Sequence, residues 1–318
     1  MRVVKGLERL DPPLVHSVLT IGNFDGVHRA HQQLLAQAGL FAANTGGPVA
    51  VLTFEPHPLT VVNSANAPQR LSTVEQKIGY LADAGADIVV LARSEPGLLG
   101  IEAERFIEDV IVRKFHPTHL IEGPSFGFGR GRRGTPELLR RIVPRFDCEV
   151  HIVEPVTVQI EQGETLLVSS SLIRHLLSEG KVRRAALCLG RPYTISGEVT
   201  DGDRRGRTIG FPTANLVVPD QLIPGDGVYA GRALAGDRNY LAAISIGHAP
   251  TFSGTERRIE AHLLDFTSDL YGQSVQLGFE RRLREQRTFD SPEALVEQLR
   301  RDVDAVRSAA GSSSSTDT

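Results

Sequence analysis

The chain has 318 residues, 41% hydrophobic and 23% charged, enough for two ordinary globular domains that each bury a core. A net charge of -3 excludes a general polyanion-binding surface, and the arginines within 130–133 and 204–207 form runs too short and glycine-rich to act as nucleic-acid tails. Two distant cysteines exclude a disulfide framework, and no segment nears the roughly 18 apolar residues of a membrane span, so a cytoplasmic protein without nucleic-acid or membrane partners is expected.

Residues 15–21 hold the apolar run Val18-Leu19-Thr20-Ile21 and predict a buried strand. The decapeptide Gly22-Asn23-Phe24-Asp25-Gly26-Val27-His28-Arg29-Ala30-His31 follows. Gly22 and Gly26 permit a tight turn, and Leu34, Leu35 and Ala38 continue a helix to residue 43 whose first turn carries His28 and His31. At i and i+3 the two imidazoles share a helix face. They lie where free backbone N–H groups and the positive end of the helix dipole favour an anion, which suits a nucleotide phosphate under attack. A zinc pair would need a third ligand at metal spacing, and Cys148 and Cys188 stand isolated. Two surface histidines after a turn are the plain structural alternative.

Strands at 49–54, 88–91 and 119–122 alternate with helices at 73–84 and 103–115, a pattern that predicts a parallel sheet covered by helices. Ligands of such folds bind beyond the carboxyl ends of the strands. Three segments follow strand ends there: 22–31, Phe54-Glu55-Pro56-His57-Pro58, and Gly123-Pro124-Ser125-Phe126-Gly127-Phe128-Gly129. A helical stretch at 171–189 is opened by Ser169-Ser170-Ser171-Leu172-Ile173-Arg174, where hydroxyls, free N–H groups and a guanidinium fit a triphosphate. A serine cap with a solvated arginine accounts for the same residues.

Gly190-Arg191-Pro192 breaks the helical pattern, and short alternating segments at 193–199, 228–233, 240–246, 258–266 and 274–279 predict an antiparallel barrel. Gly206-Arg207-Thr208-Ile209-Gly210-Phe211-Pro212-Thr213-Ala214-Asn215-Leu216 lacks the Gly-Lys-Ser/Thr ending of a Walker loop. Its glycines, Gly206 and Gly210 among them, suit phosphates, and Thr213 and Asn215 offer oxygen ligands to a magnesium ion; a turn-rich barrel loop is the other reading. Glu260 alternates with Ile259, Ala261 and Leu263 and so faces away from them. Ser291 as cap and Pro292 at the first position start a helix to residue 306, and the polar stretch 311–318 is expected to be a disordered tail.

These motifs, in this order over about residues 15–305, resemble those of the bacterial bifunctional riboflavin kinase/FMN adenylyltransferases, or FAD synthetases. The resemblance implies an α/β nucleotidylyltransferase domain at 1–189, with a parallel sheet, that transfers AMP from ATP to FMN. It implies an antiparallel β-barrel riboflavin kinase domain with a terminal helix at 190–310, with ATP as substrate and Mg2+ as metal. In the first domain His28, His31 and Arg174 inherit catalytic roles, Arg174 at the leaving pyrophosphate, while Gly22, Phe24, Asp25, Ser169 and Ser170 serve the nucleotide. His57, Pro58 and Ser125 inherit places beside the flavin. In the second domain Gly206 and Gly210 serve the nucleotide, Thr213 and Asn215 the metal-nucleotide, and Tyr271 and Arg284 the flavin. Glu260 inherits the part of the base that accepts the ribityl hydroxyl proton.

Four positions depart from the family pattern: Ala30 stands for glycine, Ser125 for an acid or amide, Ser171 for threonine and Ala249 for a basic residue. The rival expectations are a kinase with a degenerate first domain, a flavin-binding sensor without turnover, and adenylylation of another phosphate acceptor.

Overall fold

Six strands form one fully parallel sheet: β1 (Arg2–Lys5), β2 (Ser17–Ile21), β3 (Val49–Glu55), β4 (Ile88–Arg93), β5 (Pro117–Glu122) and β6 (Glu149–Ile152). Their spatial order is β1-β4-β3-β2-β5-β6. The chain therefore builds from β2 through β3 to β4 on one side and returns to β5 on the other, which makes the carboxyl end of β2 a topological switch point. This computed structural model describes residues 1–160, 163–201, 209–251 and 254–313. Contacts divide it into two units, Met1–Ser170 and Ser171–Thr318.

Both faces of the sheet are covered, which explains why its central strands read as continuous apolar runs. On one face Leu19, Ile21, Leu52, Val90 and Leu120 pack with Phe106 and Ile111. On the other, Val18, Val51, Val89 and Ile121 meet Leu35, Ala38 and Leu81. The helices of this unit are α1 (Arg29–Thr45), which ends on left-handed Gly46, α2 (Pro58–Val62), α3 (Val74–Asp83), α4 (Pro96–Leu99) and α5 (Ala103–Phe106), of which α1, α3 and α5 supply core residues just named. α5 runs on into a π-helical segment, Ile107–Phe115, and α6 follows at Pro136–Ile142. β1 and β6 escape the sequence pattern because each is a four-residue edge strand. Short edges with charged residues are what sheets use to block further pairing. A small hairpin, β7 (Thr157–Gln159) and β8 (Thr165–Leu167), closes the first unit.

The helix expected at 171–189 is two helices, α7 (Ser170–Ser178) and α8 (Val182–Leu189). Gly180 separates them with φ +71°, and a Cβ there would lie 2.8 Å from the Tyr229 hydroxyl. Both the left-handed turn and the close approach require glycine.

The barrel consists of β9 (Tyr193–Thr200), β10 (Ala214–Val217), β11 (Gly227–Ala235), β12 (Arg238–Thr251), β13 (Gly254–Leu263) and β14 (Ser274–Arg284). It closes antiparallel in the order β10-β13-β12-β11-β14-β9, which leaves no open edge. Tyr193, Tyr229 and Phe279 fill it. Their polar ends are satisfied: the Tyr193 hydroxyl donates to the Leu222 carbonyl at 2.7 Å and that of Tyr229 to Gly225. The terminal helix, Pro292–Ser313, receives a cap from Ser291 Oγ, which accepts the Ala294 N–H at 3.2 Å. Val306 anchors it against Ala230 and Leu264. It continues beyond the expected end at 306 because Ala309 and Ala310 are strong helix formers, so residues 311–313, expected in the tail, are helical. Residues 314–318 lie outside the described residues.

Candidate active sites

The first site grows from the end of β2. The turn that follows is tight enough to hold Phe24 and Val27 at φ +48° and +38°, with Gly26 at +76°. Non-glycine residues occupy that region only when their surroundings enforce it. Here Asp25 supplies the enforcement, because its carboxylate accepts the Leu71 N–H at 3.0 Å and the Ser72 N–H at 3.2 Å. The Ser72 hydroxyl in turn accepts the Gly26 N–H at 3.2 Å. Asp25, expected beside a nucleotide, thus turns its carboxylate into the protein as an anchor. Gly22 sits against the Phe24 ring, 3.2 Å from where its Cβ would lie.

His28 is the N-cap of α1, one residue outside the helix, with extended backbone. His31 lies in the first turn, and the two rings stack with centroids 3.6 Å apart and planes 14° apart. The Phe24 ring stands 4.9 Å from His31. The motif that opens α7 reaches the same turn, since Ser170 Oγ donates to the Asp25 carbonyl at 3.2 Å. Ser169 precedes it half-buried, and Arg174 lies a turn further along α7, in the second contact unit.

The end of β3 adds His57, which caps α2: its Nδ1 accepts the Leu59 N–H at 3.2 Å, and its Nε2 lies 3.0 Å from the Asn23 amide nitrogen. Pro58 takes the first helical position. Asn23, Glu55, His57, Arg70 and Lys77 line a small cavity here. Arg70 and Lys77 both pair with Glu55, Lys77 at 3.3 Å, and with the Asp25 carboxylate in the same lining the two cations face two carboxylates. Burial pulls the Lys77 pKa below its ordinary value, with the Glu55 carboxylate opposing. Neither cation belongs to a recognised motif. The available signal was Lys77 falling in the apolar stripe of α3 beside Ile78 and Leu81.

Glu122 is the other missed group. It ends β5, is 1% exposed, and its Oε1 accepts the Ile21 N–H at 2.7 Å. Burial pushes its pKa well above the carboxylate range. Ser125 lies exposed in the next loop, where its carbonyl accepts from Arg132 at 3.2 Å and Phe126 stacks on Phe128 at 5.4 Å.

The second site lies on the outside of the barrel. Asn215 on β10 is the direct cross-strand partner of Glu260 on β13, and Ser245 on β12 is the partner of Glu260 on its other side. Ala214, Leu216, Ile259 and Ala261 are buried, so Asn215 and Glu260 share the outward face, as the alternation predicted for Glu260. The stretch Ala214–Val217, expected inside a loop, is β10, and this pairing creates the juxtaposition. His262 shares the face: its Nδ1 donates to the Pro212 carbonyl at 2.8 Å, pinning the segment that carries Thr213. Gln286 closes the group by donating through Nε2 to Ser245 Oγ at 2.7 Å and to the Ile246 carbonyl at 3.1 Å.

Gly210 stands at φ +85°. Gly206 falls outside the described residues. Tyr271 is exposed in the turn before β14, its N–H bonded to Asp269 Oδ1 at 3.0 Å. Arg284, expected at a flavin, is held by Asp302 of the terminal helix through contacts of 3.0 and 2.7 Å, with Phe289 under its guanidinium. Its observed work is to tie the barrel to that helix.

A family model described as FAD synthetase matches residues 12–170, and one described as riboflavin kinase matches residues 189–310. The chain is 36% identical over 304 residues to the bifunctional riboflavin kinase/FMN adenylyltransferase of Escherichia coli strain K12, covering 95% of this chain and 96% of that one. It is 35% identical over 308 residues to the protein so named from Haemophilus influenzae, covering 96% and 98%. A solved structure described as a macrolide-efflux protein from Streptococcus pneumoniae matches with TM-score 0.85 at 31% identity, covering 96% of this chain and 99% of that one. Among the described residues no helix is long and apolar enough to cross a membrane.

Proposed function

The chain belongs to the family of bifunctional riboflavin kinase/FMN adenylyltransferases, and from that premise we propose how its residues divide the work. It uses ATP twice, phosphorylating riboflavin to FMN and adenylylating FMN to FAD. The observation that carries the assignment of the kinase site is the pairing of Asn215 with Glu260 on one outward face of the barrel.

Glu260 accepts the proton of the ribityl hydroxyl while that oxygen attacks the γ-phosphorus of ATP and ADP leaves. The Asn215 amide, across from this base, and the Thr213 hydroxyl two residues earlier in the chain are hard oxygen donors, a set that fits Mg2+. The ion, when bound, neutralises charge on the phosphates. Gly206 and Gly210 serve the nucleotide, and Tyr271 flanks the flavin.

In the first unit a phosphate oxygen of FMN attacks the α-phosphorus of ATP and pyrophosphate leaves. His28 and His31, stacked at the N-terminus of the 17-residue α1, stabilise the charge that builds there. Ser169 and Ser170 present hydroxyls to the nucleotide, and Arg174 neutralises the pyrophosphate. His57, Pro58 and Ser125 form the flavin side, where the Arg70 and Lys77 cations beside His57 are donors that an anionic phosphate can use. We put the functional boundary at 189/190, a reading supported by a riboflavin kinase match that starts at residue 189. The cytoplasm, with its ATP supply, is the proposed location.

The test is the first-unit reaction by itself. The wild-type protein, given FMN, ATP and Mg2+ without riboflavin, should yield FAD and pyrophosphate in equal amounts despite Ala30 and Ser125. Absence of both products, with riboflavin phosphorylation intact, would leave only the kinase.

A further inference from the structure

Away from either nucleotide site, the β6 edge of the parallel sheet carries three metal-ligating side chains. His119 on β5 is the cross-strand partner of Glu149 on β6, and Ile121 is the partner of His151. Because side chains alternate along a strand, His119, Glu149 and His151 all project from one face. It is the face that α1 covers, and Phe41 of α1 stacks on both imidazoles, with centroids 4.5 Å from His119 and 4.1 Å from His151. Aromatic cover of this kind holds the two rings in place.

The donor atoms converge. His119 Nδ1 lies 3.1 Å from His151 Nε2, and Glu149 Oε2 lies 3.9 Å from the first and 3.6 Å from the second. A tetrahedral zinc ion with ligands at about 2.0–2.1 Å holds any two of them about 3.3–3.4 Å apart. The three observed separations bracket that edge length.

We propose that His119, Glu149 and His151 bind a divalent transition-metal ion, zinc foremost, with a water in the fourth position. Two imidazoles and one carboxylate suit zinc better than magnesium, which prefers an all-oxygen shell, so this ion differs from the one serving ATP. The imidazoles are mostly covered, at 15% and 28% side-chain exposure, whereas Glu149 is 74% exposed and gives the ion its way in. The bound ion would fasten β6, the edge strand, to its neighbour β5.

The experiment uses untagged, metal-stripped full-length protein titrated with zinc alone against a chromogenic chelator, and with cobalt(II) monitored in the visible. Wild type should take up one tightly held equivalent, show the intense d–d bands of four-coordinate cobalt, and melt at a higher temperature with zinc. His119→Gln and His151→Gln should each weaken binding at least about 100-fold, since loss of a mere outer partner of a metal ligand costs up to that much. Glu149→Gln, at an exposed position that cannot threaten folding, should weaken it too and abolish the rise in melting temperature. A His28→Ala, His31→Ala protein should retain the site. Failure of wild type to bind a stoichiometric ion, which would mean a bare imidazole–imidazole hydrogen bond, overturns the proposal. So does binding that survives all three ligand substitutions, or that vanishes with His28 and His31.

Discussion

Glu122 shows how one side chain can couple the site to pH. Its carboxyl is sealed against the backbone that leads into the His28 turn, and burial raises its pKa well above the ordinary value. A group with a raised folded-state pKa gives stability that is complete below its unfolded pKa and is lost as pH climbs through the folded one. Glu122→Gln keeps an oxygen for the Ile21 N–H and cannot ionise. The variant should therefore be more stable than wild type in urea unfolding at about pH 8, with the difference closing toward about pH 4–5. A difference that stays constant with pH would show that Glu122 does not titrate in this way. The sequence made His28 and His31 legible because a turn followed by a helix start fixes where their rings go. It did not reveal Glu122, Arg70 or Lys77, whose roles come from neighbours distant in the chain: Ile21 for the first, Glu55 for the other two.

At the scale of elements, α3 positions more than its own residues. Thr73 and Gln76 form a reciprocal capping box at 3.1 and 3.0 Å, and the adjoining Leu71 and Ser72 hold Asp25 and hence the strained turn. Thr73→Ala should cost about 1 kcal/mol of stability. Because the loosened segment feeds the first site, FAD formation should fall more than FMN formation; equal losses would indicate a general effect. Central strands and long helices were legible because burial on both faces writes itself into apolar runs. The short edges β1 and β6 were not, since four residues with charged members carry no period. β10 was hidden inside a motif rich in Gly, Pro and Thr, although its Ala214 and Leu216 do alternate with Asn215.

At the scale of the molecule, the FAD synthetase match ends where the contacts divide the chain, and the riboflavin kinase match begins later. The contact division falls at Ser170/Ser171, while the riboflavin kinase match starts at 189. α8 buries Val182, Ala185, Cys188 and Leu189 and packs on β9 and β14. A fragment from Ser171 should fold and make FMN alone. One from Gly190 should be less stable by at least about 3 kcal/mol, the burial of Val182 and Leu189 by themselves. Matching thermal midpoints for the two fragments would mean that α8 contributes nothing to the barrel. The change of texture at Gly190 was visible in the sequence, but the attachment of α8 depends on a packed surface that no local pattern encodes.

The central claim, two independent sites in one chain, is tested most directly by reciprocal loss in the full-length protein. Glu260→Gln should lower riboflavin phosphorylation by about 10²–10⁴-fold, the usual range for losing a general base, while FAD formation from supplied FMN continues at the wild-type rate. His31→Ala should do the reverse, lowering FAD formation by about 10²–10³-fold through lost charge stabilisation and leaving FMN formation untouched. If either substitution depresses both reactions equally, or if Glu260→Gln leaves phosphorylation unchanged, the assignment of the two sites is contradicted.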